Sequence, residues 1–239
     1  MPDIIGTLKE RSLHAVLKRY LQPDESKHEV RIGRYVADIL DENGITEIQT
    51  RQFYKMNNKL AFFLKEYPVT VVYPVARAKW ISWMDPETGE VSQKRRSPKT
   101  GKRYEVFREL QAIKAFLKEE NLTLKIMMVD VEEYRLQDGW GRDGKRGSHR
   151  MERIPVALGE EYVISCREDY FHFIPESLPE SFTVKDFAGA SGVSPAVAQR
   201  GINVLKHMEV IAMTGKKGRA YLYCCTTEKK MEKIEDSAK

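Results

Sequence analysis

The chain has 239 residues, 41% hydrophobic and 31% charged, which is enough apolar material for one large core or two small ones and too much for a disordered chain. No apolar run approaches the ~20 residues that span a bilayer, MPDIIGTLKERS lacks the layout of a secretory signal, and Cys166, Cys224 and Cys225 form neither a disulfide framework nor a zinc spacing. A cytoplasmic protein with no membrane association is therefore expected. The net charge of +5 is mild, but the positive residues are dense at 94–96, 142–153 and 216–219, a layout compatible with a polyanionic partner.

In chain order, residues 4–21 predict a helix, because Leu13, Val16, Leu17 and Tyr20 recur at helical spacing. Pro23-Asp24 stops it, and residues 28–32 predict a short strand that turns at Gly33-Arg34 into a second strand over 35–40. Asn43-Gly44 signals a hairpin with a return strand at 45–50. A second helix is predicted from about 52 to 66, with Phe53, Met56, Leu60, Phe63 and Leu64 on its apolar face. The β-branched run 69–75 that follows reads as a buried strand. A hairpin over 79–93, a basic loop at 97–102, a helix over 104–119 and a strand over 122–131 complete a first domain at 1–136. The glycine-rich, basic stretch that begins at about 137 lacks apolar periodicity, so 137–178 reads as a connecting segment.

Residues 179–226 carry a clearer signature. A helix begins near Thr183, a turn lies at 189–193, and a second helix follows Ser194 as its cap, with Pro195 in the first helical position. Ala198, Ile202 and Leu205 form its inner stripe, which leaves Gln199, Arg200, Asn203 and Lys206 outside. Two short strands at 210–213 and 220–223 flank a basic turn containing Lys216, Lys217 and Arg219. The order looks like a winged helix-turn-helix. As a DNA reader, its wing cations would sit on phosphates while Gln199, Arg200 and Asn203 reach base edges, with Lys206 on the same outer face. The tail 227–239 is charged.

The two hairpin strands pose the sharper chemical question, since Asp38 sits inside one and Glu47 inside the other. A carboxylate within a core-facing strand is costly without a partner, and two that meet repel unless a cation or a proton intervenes. Mg²⁺ suits such a place, because it takes oxygen ligands and keeps several waters. Taken singly, plainer readings exist. Asp38 can pair with Arg34 or Arg51, Glu47 can face solvent, and Lys59 can be a flank lysine reaching to solvent. The five histidines show no metal-ligand spacing, so none is assigned.

With helix, three strands, helix and strand over 4–75, and Asp38 followed by Glu47-Ile48-Gln49, the chain resembles the PD-(D/E)XK nuclease superfamily. Glutamine stands where that motif has lysine, and Ala37 stands where it usually has proline. The resemblance implies an α/β fold, a restriction-endonuclease-like mixed sheet flanked by helices, with the small winged-helix domain added. It also implies a Mg²⁺- or Mn²⁺-dependent DNA nuclease with Asp38 and Glu47 as metal ligands. Glu10, on the helical face of Leu13 and Leu17, matches an accessory glutamate of the superfamily. Gln49 would orient the attacking water, and Lys59 would supply the missing positive charge. Cutting both strands at once would need a homodimer or a partner protein. The alternative is a DNA-binding regulator or adaptor that keeps the fold without turnover. The wider chain also resembles an uncharacterised bacterial family that carries the same EIQT and GKKGR segments, which supplies no function.

Overall fold

The computed structural model describes residues 12–140 and 146–226. It is an α/β protein with one large mixed sheet flanked by helices, and a separate two-stranded sheet near the end of the chain. The chain divides into two compact units, each assembled from separate stretches. The first takes 1–50, 72–101 and 126–161; the second takes 51–71, 102–125 and 162–239.

In the first unit, helix α1 (Leu13–Leu21) starts where the Ser12 side chain accepts the Ala15 N–H, a cap that satisfies one of the orphan donors of the first turn. Its buried face is Leu13 and Leu17, which pack with Ile39, Ile48, Val72, Met127, Val129 and Val131. Each fully buried leucine contributes about 1.5–3 kcal/mol. Strands β1 (His28–Ile32), β2 (Tyr35–Asp41) and β3 (Gly44–Ile48) then form two successive antiparallel pairs. The second turn is two residues long, because Asp41 pairs with Gly44. Gly44 takes φ 108°, and the Asp41 carboxylate accepts the Asn43 N–H at 2.9 Å.

Among the described residues, the sheet has seven strands. Six run in the order β1, β2, β3, β4 (Val69–Met84), β6 (Leu122–Trp140) and β7 (Arg146–Ile164), and the two-residue β5 (Arg95–Arg96) pairs with β4. Two of these strands outrun their predicted ends, since β4 has 16 residues and β6 has 19. A third corrects the sequence reading outright, because residues 146–164 within the expected connecting segment form β7. This strand ends the sheet order, and an edge strand tolerates Pro155 and a charge-rich sequence that would be excluded from its centre. The weak alternation of such a strand leaves little periodicity to read.

In the second unit, Phe53–Met56 form a 3₁₀ turn that leads into α2 (Asn57–Phe63), and Phe53, Met56, Leu60, Phe63 and Leu64 are all buried as the spacing predicts. The helix expected over 104–119 is instead a 3₁₀ turn (Arg103–Val106), a single α turn α3 (Phe107–Leu110) and a second 3₁₀ stretch (Gln111–Phe116). Its buried residues include Tyr104, Phe107, Leu110 and Ile113, which recur every three positions, the period of the tighter helix, together with Val106 and Leu117.

The last elements are α4 (Val184–Ser191), α5 (Pro195–His207) and the antiparallel pair β8 (Ile211–Lys217) and β9 (Ala220–Cys225). Thr183 and Asp186 form a reciprocal capping box at α4, and Gly192 closes that helix in the left-handed region at φ 65°. Ser194 caps α5 with Pro195 in the first turn, as the sequence indicates. Gly201 is needed for packing, because a Cβ there would lie 2.8 Å from the Phe107 ring.

Candidate functional site

The hairpin of β2 and β3 brings Asp38 and Glu47 together. Its paired register runs from Asp41–Gly44 through Leu40–Ile45 to Ile39–Thr46. Beyond that point the carboxylates take over from the backbone. The Ile48 N–H donates to Asp38 Oδ2 at 2.8 Å, and the Asp38 N–H donates to Glu47 Oε1 at 3.3 Å. Glu47 is 4% exposed, so its carboxylate sits inside the fold and not on a solvent edge. Asp38 is partly buried, and His14 on α1 places Nε2 3.2 Å from its Oδ2.

His14 is the residue that the sequence left unassigned. It flanks the Leu13 and Leu17 stripe, so a helix lying on β2 carries it to that strand. The signal was its position beside the buried face, not any metal-ligand spacing.

The other sequence-predicted residues divide. Gln49 is partly buried, and its N–H donates to the Val72 carbonyl at 2.9 Å, which ties the end of β3 to β4. Lys59 belongs to the second unit, on α2, with Nζ 5.7 Å from the Phe63 ring centre. Glu10 lies outside the described residues. Among the described residues, no group of three or more histidine, cysteine, aspartate or glutamate side chains is placed to hold a metal ion.

The second unit holds a groove of about 900 Å³ between α4, α5 and the β8–β9 hairpin. Gln199, Asn203, Lys206 and Arg219, four of the residues selected from sequence for DNA contact, line it together, joined by Lys185 and Tyr221. Among the described residues, no acidic side chain lines it. Gln199 Nε2 donates to Asn203 Oδ1 at 3.3 Å, which orders two polar groups one helical turn apart. Lys216 and Lys217 are exposed on β8, and the Lys216 ammonium lies over the Tyr221 ring at 5.0 Å. Arg200 is exposed but turned elsewhere, since its Nη1 donates to the Arg108 carbonyl at 3.2 Å.

No helix among the described residues is long and apolar enough to cross a membrane. In comparison with known proteins, residues 11–165 match the family model described as a domain of unknown function, DUF8091. The chain is also 30% identical over 221 residues to an uncharacterized protein of Treponema pallidum (strain Nichols), an alignment covering 92% of this chain and 86% of that one. No solved structure matches. The chain belongs to the DUF8091 family.

Proposed function

We propose that this member of the DUF8091 family is a divalent-cation-dependent DNA nuclease, with its chemistry at the β2–β3 hairpin and its grip on duplex DNA in a winged helix formed by α4, α5, β8 and β9. One observation carries the reading. Asp38 and Glu47, the two residues that the nuclease resemblance requires as ligands, meet where the β2–β3 ladder ends, one partly buried and the other almost wholly so.

The donor set suits the ion. Two carboxylates offer hard oxygens, and Mg²⁺ commonly uses one or two of them while retaining water. When bound, the ion would polarise the scissile phosphate and lower the pKa of a coordinated water. Asp38 and Glu47 would hold it. His14 would steady the Asp38 carboxylate through the contact at Oδ2, and the Ile48 N–H would fix the same oxygen from the strand side. In the second unit, the acid-free groove and the cations of the hairpin favour a phosphate backbone.

Nicking of supercoiled plasmid with Mg²⁺ or Mn²⁺ tests the reading, with the wild type beside Asp38→Asn and Glu47→Gln. Metal-dependent nicking by the wild type, lost in both variants, is expected. Equal nicking by the variants, or none by a folded wild type, overturns it. The second reading, a DNA-binding regulator without turnover, is favoured by the strand amides that already engage Asp38 Oδ2 and Glu47 Oε1, a structural use of both carboxylates. It expects salt-sensitive DNA binding and no cleavage.

A further inference from the structure

Glu133, on β6, has a side chain with no exposed surface, and three cations converge on it. Arg135 donates to Oε1 through Nε at 2.8 Å, with Nη2 at 2.7 Å. Arg153 on β7 donates to Oε2 through Nε at 2.9 Å. Lys79 on β4 holds its ammonium 3.6 Å from Oε2, near enough to feel the charge but longer than a hydrogen bond. Among the described residues, three formal positive charges thus face this one carboxylate, and the two arginines already occupy both of its oxygens.

Each cation keeps a path to solvent: the exposed side-chain fraction is 17% for Lys79, 22% for Arg135 and 30% for Arg153. Burial pushes the Lys79 ammonium down from its ordinary pKa, and the neighbouring charges of Arg153 and Arg135 act in the same direction against the pull of Glu133. A second anion at this place would relieve that deficit. The patch also extends along the sheet. Arg95 pairs with Ile81, residues paired across strands share a face, and Lys79 lies two positions before Ile81 on that same face. Arg95 is exposed.

We infer that Lys79, Arg135, Arg153 and Arg95 form a phosphate-contacting surface for nucleic acid on the first unit, with Glu133 as the buried counter-ion that pre-sets the cations. The inference rests on the DNA-binding reading above and adds a contact surface that is separate from the groove of the second unit. Glu133 fixes the direction of two guanidinium forks before any ligand arrives, so less side-chain freedom is lost when phosphate binds. A row of cations without sequence-reading groups gives affinity and register, not sequence choice.

The test is binding of a fluorescein-labelled duplex across a salt series by the full-length chain, with melting temperature measured in parallel. Lys79→Gln removes the cation that Glu133 needs least, since both arginines remain. It is expected to weaken binding of unrelated duplexes equally, and to lower the magnitude of the salt slope by about 0.9 with the melting temperature unchanged. Lys79→Arg is expected to restore the slope, and Lys79→Gln combined with Arg95→Gln to lower it by about twice as much. Wild-type affinity and slope in Lys79→Gln overturn the inference alone, as does a binding loss that only follows a loss of stability. Stabilisation by inorganic phosphate with duplex binding unchanged in the variants also overturns it, in favour of a small-anion site. A folded wild type that binds no duplex overturns both this inference and the reading on which it rests.

Discussion

The backbone amide of Asp38 points at the carboxylate of Glu47, 3.3 Å from Oε1, while the Asp38 carboxylate receives the amide of Ile48 on the facing strand. The two acids therefore hold the end of the hairpin, in addition to the ligand role proposed for them. Removing either with alanine would take the carboxylate acceptor from a part-buried N–H, at a cost of about 1–3 kcal/mol. Asp38→Asn and Glu47→Gln keep an acceptor oxygen and remove the charge. Melting temperatures close to wild type, with metal-dependent cleavage abolished, are expected; the alanine variants should lose cleavage and stability together.

The acid response should follow Glu133. Burial pushes its carboxyl up, but hydrogen bonds and charge from Arg153, then Arg135 and Lys79, outweigh that effect and hold it at about 2. The folded-state pKa lies below the ordinary value of 4.5, so the unfolded chain takes up this proton first as pH falls. Its contribution is fully present above pH 4.5 and is lost progressively down to about pH 2, on the order of a few kcal/mol in all. Urea unfolding at pH 6 and pH 3 measures this loss. Glu133→Gln should flatten the response in that window and lower stability at pH 6, because the cations around it would be left without their counter-ion.

Gly201 tests the packing of α5. A Cβ at this position would meet Phe107 Cδ2 at 2.8 Å and Cε2 at 3.0 Å, and that ring is wedged against Phe173 and Phe187 with centroids 4.9 and 6.3 Å away. Gly201→Ala gains in helix propensity but overpacks the ring. A net loss of roughly 1–3 kcal/mol is expected by chemical denaturation. Gly189→Ala, whose Cβ would meet nothing within 4 Å, is the control that should not destabilise.

The groove of the second unit makes a separable claim about DNA. Lys206→Ala combined with Arg219→Ala removes two cations that line it, both on exposed positions. The salt slope of duplex binding should fall in magnitude by roughly 1.8, with the fold intact by circular dichroism. Arg200→Ala is the contrast: its guanidinium is engaged with the Arg108 carbonyl, so a smaller change in DNA affinity is expected.

Local structure was legible in the sequence wherever neighbouring residues decide it. Ser194-Pro195 start α5 because a cap and a fixed φ act within one turn, and Leu13 and Leu17 mark the buried face of α1 because helical spacing alone brings them together. The hairpin that joins Asp38 to Glu47 is set by the turn beside it, so their meeting could be read in advance. What depends on distant partners could not be read. Glu133 is buried because Lys79 and Arg153, 54 and 20 positions away, reach it across the sheet. β7 exists because a sheet edge accepts a proline and charges that local preference argues against. His14 joins Asp38 only because α1 lies on that strand, and Lys59 proves to belong to the other unit. The identity of a side chain and its near neighbours sets which element it enters. Which charges face one another follows from how the strands are ordered, and that order is a property of the whole packed chain.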